Sequence, residues 1–378
     1  MRFRNAVRLT LAAGALALIG LDPARAADPN GALGAAGDAS YKSFDVAYEN
    51  YRFRDGETLP SLRVHYLTLG APHRDAGGQI DNAVLVLHWT GAGSRAMTNR
   101  LFTRSLYAPG APLDARRYFL IFPDAVGCGQ SSKPSDGLRA KFPNYGYGDT
   151  VDIQHKLVTE TLEISHLHAI LGLSMGGMNA WAWAEAYPDM MDGVMPVVSL
   201  PIKVSGRNAI WRRLAIDLIR DDPAYRGGDY SGPVPGFVRA YALLRMMIDG
   251  VAHLQTVAPD TSAAESFLSG VAGQARGADP NDLLYSLEAS ADYDPEPKLS
   301  AIRTKLFALN FDDDEFNPDR LGYLERLTPR IPGARFVVQK GTADSPGHLT
   351  MARPDLWAGR VGDFMRELDA AEPSAPKR

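Results

Sequence analysis

Gly172-Leu173-Ser174-Met175-Gly176-Gly177 stands between an apolar run, His168 to Leu173, and a helical pattern, Met178–Ala186. A buried strand, a tight glycine-flanked turn and a helix, in that order, push a serine hydroxyl out on strained backbone. The flanking glycines carry no Cβ to strike the neighbouring strand or helix. Gly177 is expected to keep the helix start open to a substrate. At that helix start the Met175 N–H is placed to meet a developing oxyanion.

Outward from this turn, the pattern is one of short apolar runs. Val84 to Leu87, Tyr118 to Phe122, Val194 to Val198, Lys305 to Phe311 and Arg335 to Gln339 are continuously apolar or nearly so. Runs of this kind suit strands buried on both faces of a parallel sheet. Helical patterns such as Thr150–Leu162 alternate with them, which predicts a doubly wound, mostly parallel α/β sheet. Residues 44–53 and 62–69 alternate apolar and polar and predict an early antiparallel hairpin. The alternation stops near Pro201. Residues 201–298 read as a helical cap inserted into a core made of 44–200 and 299–365.

A serine hydroxyl is a weak nucleophile until a base takes its proton. On a turn of this type an acid and then a histidine follow the serine along the chain. His253 and His348 come after Ser174. His253 lies inside the cap segment, whereas His348 lies in the loop after the last strand, where a base is expected. The acid should follow the strand Lys305 to Phe311, where Asp312-Asp313-Asp314-Glu315 stands. Asp314 is the first choice, with Asp312 and Asp313 behind it. A metal is not expected on this acidic run, because no histidine is near and no EF-hand spacing is present. No cofactor is called for. The loop His88-Trp89-Thr90-Gly91 follows an early strand and should give the second oxyanion donor, Thr90 before Trp89. Cys128, the one cysteine, has no histidine placed to activate it and reads as structural.

Arg2, Arg4 and Arg8, the apolar run Leu9 to Leu21 and Ala24-Arg25-Ala26 form a three-part export signal over residues 1–26. The expected location is periplasmic or secreted, with no membrane anchor once the signal is cut. Residues 27–43 read as a flexible leader and 366–378 as a polar tail. The formal charge of −4 becomes −7 when four arginines and Asp22 leave with the signal. Such a surface does not invite nucleic acid. With 45% hydrophobic residues the chain can bury a sizeable core. The expected partner is a small-molecule ester or acyl substrate, and a homo-oligomer is compatible with the chain.

Over most of its mature length the chain resembles the homoserine O-acetyltransferase branch of the α/β-hydrolases. The likeness is carried by Gly172-Leu173-Ser174-Met175-Gly176-Gly177-Met178, by Trp183 and Tyr187-Pro188-Asp189, by Arg213-Leu214-Ala215-Ile216, by Asp222-Pro223 and Gly227-Gly228-Asp229-Tyr230, and by Asp292-Tyr293-Asp294-Pro295. The resemblance implies an α/β-hydrolase fold with a helical cap, and in its register the catalytic acid and histidine fall on Asp314 and His348. It also implies substrate contacts near Trp89, Arg213, Tyr241 and Leu349. Two positions depart from the family pattern. Leu349 stands where the family has an aspartate holding the amino-acid substrate, and Tyr241 where it has an arginine for the substrate carboxylate. A buried zwitterion needs charged partners, so these changes point to a different ligand. The expected activity is ester hydrolysis through an acyl-enzyme on Ser174, with O-acyl transfer as the alternative.

Overall fold

The computed structural model describes residues 40–370. The export signal, the leader up to residue 39 and the end of the tail lie outside the described residues. Eight strands form one sheet: β1 Lys42–Arg52, β2 Thr58–Leu69, β3 Ala83–Leu87, β4 Phe119–Pro123, β5 Leu167–Leu173, β6 Met191–Val197, β7 Lys305–Phe311 and β8 Arg335–Gln339. Their spatial order is β1-β2-β4-β3-β5-β6-β7-β8. β1 and β2 form the antiparallel hairpin, and β2 pairs antiparallel with β4. Every pairing from β4 to β8 is parallel.

The helices are α1 Arg100–Phe102, α2 Tyr147–Lys156, α3 Met175–Ala186, α4 Gly206–Arg220, α5 Pro235–Ile248, α6 Val251–Val257, α7 Thr261–Ala275, α8 Pro280–Glu288, α9 Tyr323–Leu327 and α10 Ala358–Asp369. Helices α4 to α8 all fall between β6 and β7. Two edges differ from the sequence reading. Strand β1 takes the last two residues assigned to the leader, because Phe44 stacks on Tyr66 and the pairing runs out to Lys42. The tail begins later than 366, because Leu368 is buried on α10.

The apolar runs lack alternation because both faces of the sheet are covered. Leu85, Leu87, Ile170 and Val194 point into one core; Val84, Val86, Leu171 and Met195 point into the other. Trp181 and Trp183 on α3 are fully enclosed, and the Trp183 indole donates to Gln154 Oε1 on α2 at 2.8 Å. Truncating either tryptophan should cost about 3–5 kcal/mol. That packing holds α3 rigidly, and with it the turn that carries Ser174. Among the described residues no helix is long and apolar enough to cross a membrane.

Candidate active site

Ser174 ends β5 and begins α3 with φ 55° and ψ −110°. For a residue other than glycine such backbone costs of order 1–3 kcal/mol and must be held by its surroundings. Two hydrogen bonds hold it: Ser174 N–H to the Val197 carbonyl at 2.9 Å and Gly176 N–H to the His88 carbonyl at 3.0 Å. Close packing explains the glycines. A Cβ on Gly172 would stand 2.0 Å from the Gly176 oxygen, and one on Gly176 would stand 2.3 Å from the Leu87 oxygen. Gly177 does not open the helix start to substrate. It faces β6, where a Cβ would meet Ser199 Oγ and the Val197 oxygen.

The three residues that the sequence singled out meet above the C-terminal edge of the sheet, at the ends of β5, β7 and β8. Ser174 Oγ lies 2.8 Å from His348 Nε2. His348 Nδ1 lies 2.8 Å from Asp314 Oδ2. All three side chains are buried. The other Asp314 oxygen accepts the N–H groups of Phe316 and Asn317, each at 2.8 Å. Asn317 in turn donates to the Val198 carbonyl beyond β6. This arrangement orients a carboxylate on an imidazole, and the imidazole on a hydroxyl. It is able to take the hydroxyl proton as an acyl bond forms.

The other acids after β7 serve the backbone and the surface. Asp312 accepts the Gly341 N–H and Asp313 the Gly347 N–H. Glu315 pairs with Arg207 and Arg320. Among the described residues no group of three or more His, Cys, Asp or Glu could hold a metal ion.

The loop after β3 is tied to this centre by His88. Its Nδ1 donates to the Trp89 carbonyl at 2.8 Å and its Nε2 accepts the Ala125 N–H at 3.0 Å. These partners fix the neutral Nδ1–H tautomer. Burial pushes the imidazole below its ordinary value, against the pull of Asp124. Asp124 clamps the neighbouring turns by accepting the N–H groups of Ser94 and Gln130. Thr90 Oγ1 and Trp89 Nε1 are buried with no partner among the described residues. The N–H groups of Met175, Trp89 and Thr90 find no acceptor there either, which leaves them free for an oxyanion.

The remaining candidates are dispersed. Trp89 packs on Phe102, and Leu349 is buried in the same core cluster. Tyr241 is buried against Phe237; burial pushes its phenol up to about 12, opposed by Arg245. The structure does not bring Arg213 to the site: it lies on the outer face of α4, paired with Asp217 in solvent. The adjacent Arg212, about 100° round the helix, is the one turned inward. Burial raises the Cys128 thiol to about 12, so it stays protonated and unreactive. It packs on Ser286 of α8 at 3.7 Å.

Comparison with known proteins bears on the family and the fold. Residues 83–239 match the family model described as the alpha/beta hydrolase fold. The chain is 30% identical over 344 residues to a homoserine O-succinyltransferase of Pseudomonas fluorescens, covering 84% of this chain and 86% of that one. The chain belongs to the α/β-hydrolase family. Within it, this α/β-hydrolase resembles the homoserine acyltransferase branch. Two solved structures share the fold. A homoserine O-acetyltransferase from Bacillus anthracis superposes with a TM-score of 0.75 at 22% identity, covering 86% of this chain and 97% of that one. An acetylester hydrolase from Corynebacterium glutamicum gives 0.74 at 22%, covering 87% and 96%.

Sequence reasoning missed His88, Asn317 and Arg212. His88 precedes the serine in the chain, where this motif order expects no base. Its signal was a histidine at the very end of a buried apolar strand. Asn317 and Arg212 carry no local signal, because their roles depend on which way a loop and a helix face.

Proposed function

We propose that this α/β-hydrolase is an exported esterase that forms an acyl-enzyme on Ser174. One observation carries the reading: the unbroken path from Asp314 through His348 to Ser174, 2.8 Å at each step and closed to solvent. As Ser174 Oγ bonds to the ester carbonyl carbon, its proton passes to His348 Nε2. Asp314 holds the Nδ1–H and stabilises the imidazolium. The carbonyl oxygen becomes an oxyanion, met by the N–H groups of Met175 and of Thr90 or Trp89. Collapse of the adduct breaks the ester C–O bond, and His348 returns its proton to the leaving alkoxide. Water then attacks the acyl-serine, again losing its proton to His348; the acyl C–Oγ bond breaks, His348 returns the proton to Ser174 Oγ, and the acid leaves.

Three features favour water as acceptor. Leu349 and Tyr241 stand where the resemblance places an aspartate and an arginine for an amino-acid acceptor, and both are buried. The basic start, apolar run and Ala24-Arg25-Ala26 favour export. Outside the cytoplasm, acyl-CoA donors are scarce. The acyl-transfer reading draws on the name of the Pseudomonas relative, which aligns over most of both chains. The two solved neighbours carry a transferase and a hydrolase name on one fold, and fold does not choose between them.

The test is acyl release from short-chain aryl esters by wild type and Ser174→Ala, followed by the same proteins with homoserine and acetyl-CoA. Ester turnover that the mutant loses is expected. Acetyl-homoserine formation without ester hydrolysis would establish transfer instead. Cell fractionation and the mature N-terminus test export, which requires a chain beginning at Ala27.

A further inference from the structure

Two arginines of the described structure are buried, and both lie in the helices between β6 and β7. Arg245 on α5 has its carboxylate: Nη1 donates to Asp249 at 2.9 Å. Arg212 on α4 is deeper, 5% exposed, and has none among the described residues. The acceptors around it are neutral. Nε donates to Asn208 Oδ1 at 2.9 Å, and Nη1 reaches the Leu287 carbonyl at 3.4 Å. The buried Tyr147 hydroxyl faces it as a third neutral neighbour. A guanidinium has five N–H donors and cannot shed its proton, so burying it without an anion is costly.

Its place in the fold gives that cost a use. Arg212 lies over the Phe316 ring, 5.5 Å from guanidinium carbon to ring centre. Phe316 also packs on the His348 imidazole, with ring centres 4.9 Å apart. Asn208, which orients the guanidinium, also donates to the Phe316 carbonyl and to Asn317 Oδ1. Asn317 donates to Asp314. One hydrogen-bonded framework therefore positions both the unpaired cation and the triad acid. The guanidinium is one aromatic ring away from the imidazole and is held at a fixed angle. Its fork matches a carboxylate through two parallel N–H···O bonds.

We propose that Arg212 binds a carboxylate of the substrate, so that the Ser174 site acts on acidic esters in preference to neutral ones. This rests on the reading of Ser174 as an acyl-accepting nucleophile. The carboxylate belongs to either the acyl or the alcohol part, and the experiment separates the two. One matched pair is 4-nitrophenyl hemisuccinate against 4-nitrophenyl butyrate. The other is O-acetyl-lactate against its methyl ester. Wild type should favour the anionic member of one pair in kcat/KM. Arg212→Met should lower that value on the order of 10- to 100-fold, the loss of a charge-assisted hydrogen bond. The neutral esters should change little, and Arg212→Lys should recover part of the loss. Equal losses on anionic and neutral esters would mean a structural role and overturn the proposal, as would a wild-type preference for neutral esters. Should no ester be turned over, calorimetry with free glutarate reads the same contact. Binding that Arg212→Met abolishes supports it, and equal affinities overturn it.

Discussion

The Gly176 N–H donates to the His88 carbonyl at 3.0 Å, which joins the turn carrying Ser174 to the loop carrying Thr90. Each side of this bond is over-determined. Gly176 is pressed so closely on β3 that a Cβ would strike the Leu87 oxygen. His88 is pinned from beyond by Ala125 N–H and from within by the Trp89 carbonyl. The two sources of oxyanion donors thus keep one spacing, which electrostatic stabilisation requires before the charge develops.

Replacing His88 by alanine should therefore loosen the donor loop without touching the nucleophile. The expected result is a kcat lower on the order of 10²-fold, the usual cost of a lost oxyanion donor, with KM little changed. His88→Asn keeps a donor near the Nδ1 position and His88→Gln an acceptor near Nε2, so each should recover part of the rate. Steady-state kinetics on an aryl ester check this. A fall in thermal stability with kcat intact would contradict it.

Asp314→Asn should abolish most activity while the protein stays folded. Asp314 Oδ1 already accepts two backbone N–H groups, so an asparagine must put its oxygen there. Its NH2 group then faces His348 Nδ1 and forces that nitrogen to become the acceptor. The proton moves to Nε2, and the imidazole can no longer accept from Ser174. A kcat loss on the order of 10⁴ is expected, with near-wild-type circular dichroism. Retention of more than a tenth of the activity would mean that the tautomer is not set by Asp314.

Much of this arrangement was legible because its causes are local. Lys305–Phe311 and Arg335–Gln339 are strands over the residues that their apolar pattern marked. Both faces of β7 are covered, so no alternation was needed to find it, whereas β8 is the partly exposed edge strand. Helix α3 starts at Met175 instead of Met178. Gly176 and Gly177 lower helix propensity in isolation, but here they buy close approach to β3 and β6. What could not be read depends on orientation. Arg212 and Arg213 are neighbours of the same type, and one residue of helical phase decides which is buried. Asp312, Asp313 and Asp314 differ only in where the turn after β7 points each side chain.

The link between α5 and α6 touches the His348 loop through two glycines, and that contact should be sensitive. A Cβ on Gly250 would lie 2.8 Å from the Gly347 nitrogen; one on Gly347 would lie 2.5 Å from the Gly250 nitrogen. Behind Gly250, the buried Asp249 gathers Arg245, His253 and the Gly250 N–H. Gly250→Ala should push the His348 loop away and cost about 1–3 kcal/mol of stability, the usual price of overpacking. Gly347→Ala should cost more, because Gly347 also has a φ of +65°. Thermal unfolding gives the order of the two variants, and kcat should fall in both. Unchanged kcat in Gly250→Ala would show that the contact does not reach the imidazole.

Two other histidines should bound the pH range of stability from opposite sides. Burial depresses His88 below its ordinary 6.5. The unfolded chain then takes up that proton more readily than the folded one. The His88 contribution is present above pH 6.5 and is lost as pH falls through the depressed value. His166 behaves oppositely. Its hydrogen bond to Asp192 raises it above 6.5, against desolvation. That contribution is complete below pH 6.5 and is lost as pH rises through the raised value. Burial works to raise Asp192 itself, but hydrogen bonds from His166 and His168 outweigh it and hold the carboxyl well below the usual range, so Asp192 stays ionised until strong acid. Melting temperature against pH should fall on both sides of a maximum. Asp192→Asn should flatten the alkaline limb and leave the acid limb from pH 6.5 downward. His166 is partly exposed, so about 0.5 M salt should weaken the alkaline limb by screening and spare the buried His88. An alkaline limb unchanged in Asp192→Asn would assign the loss to another group.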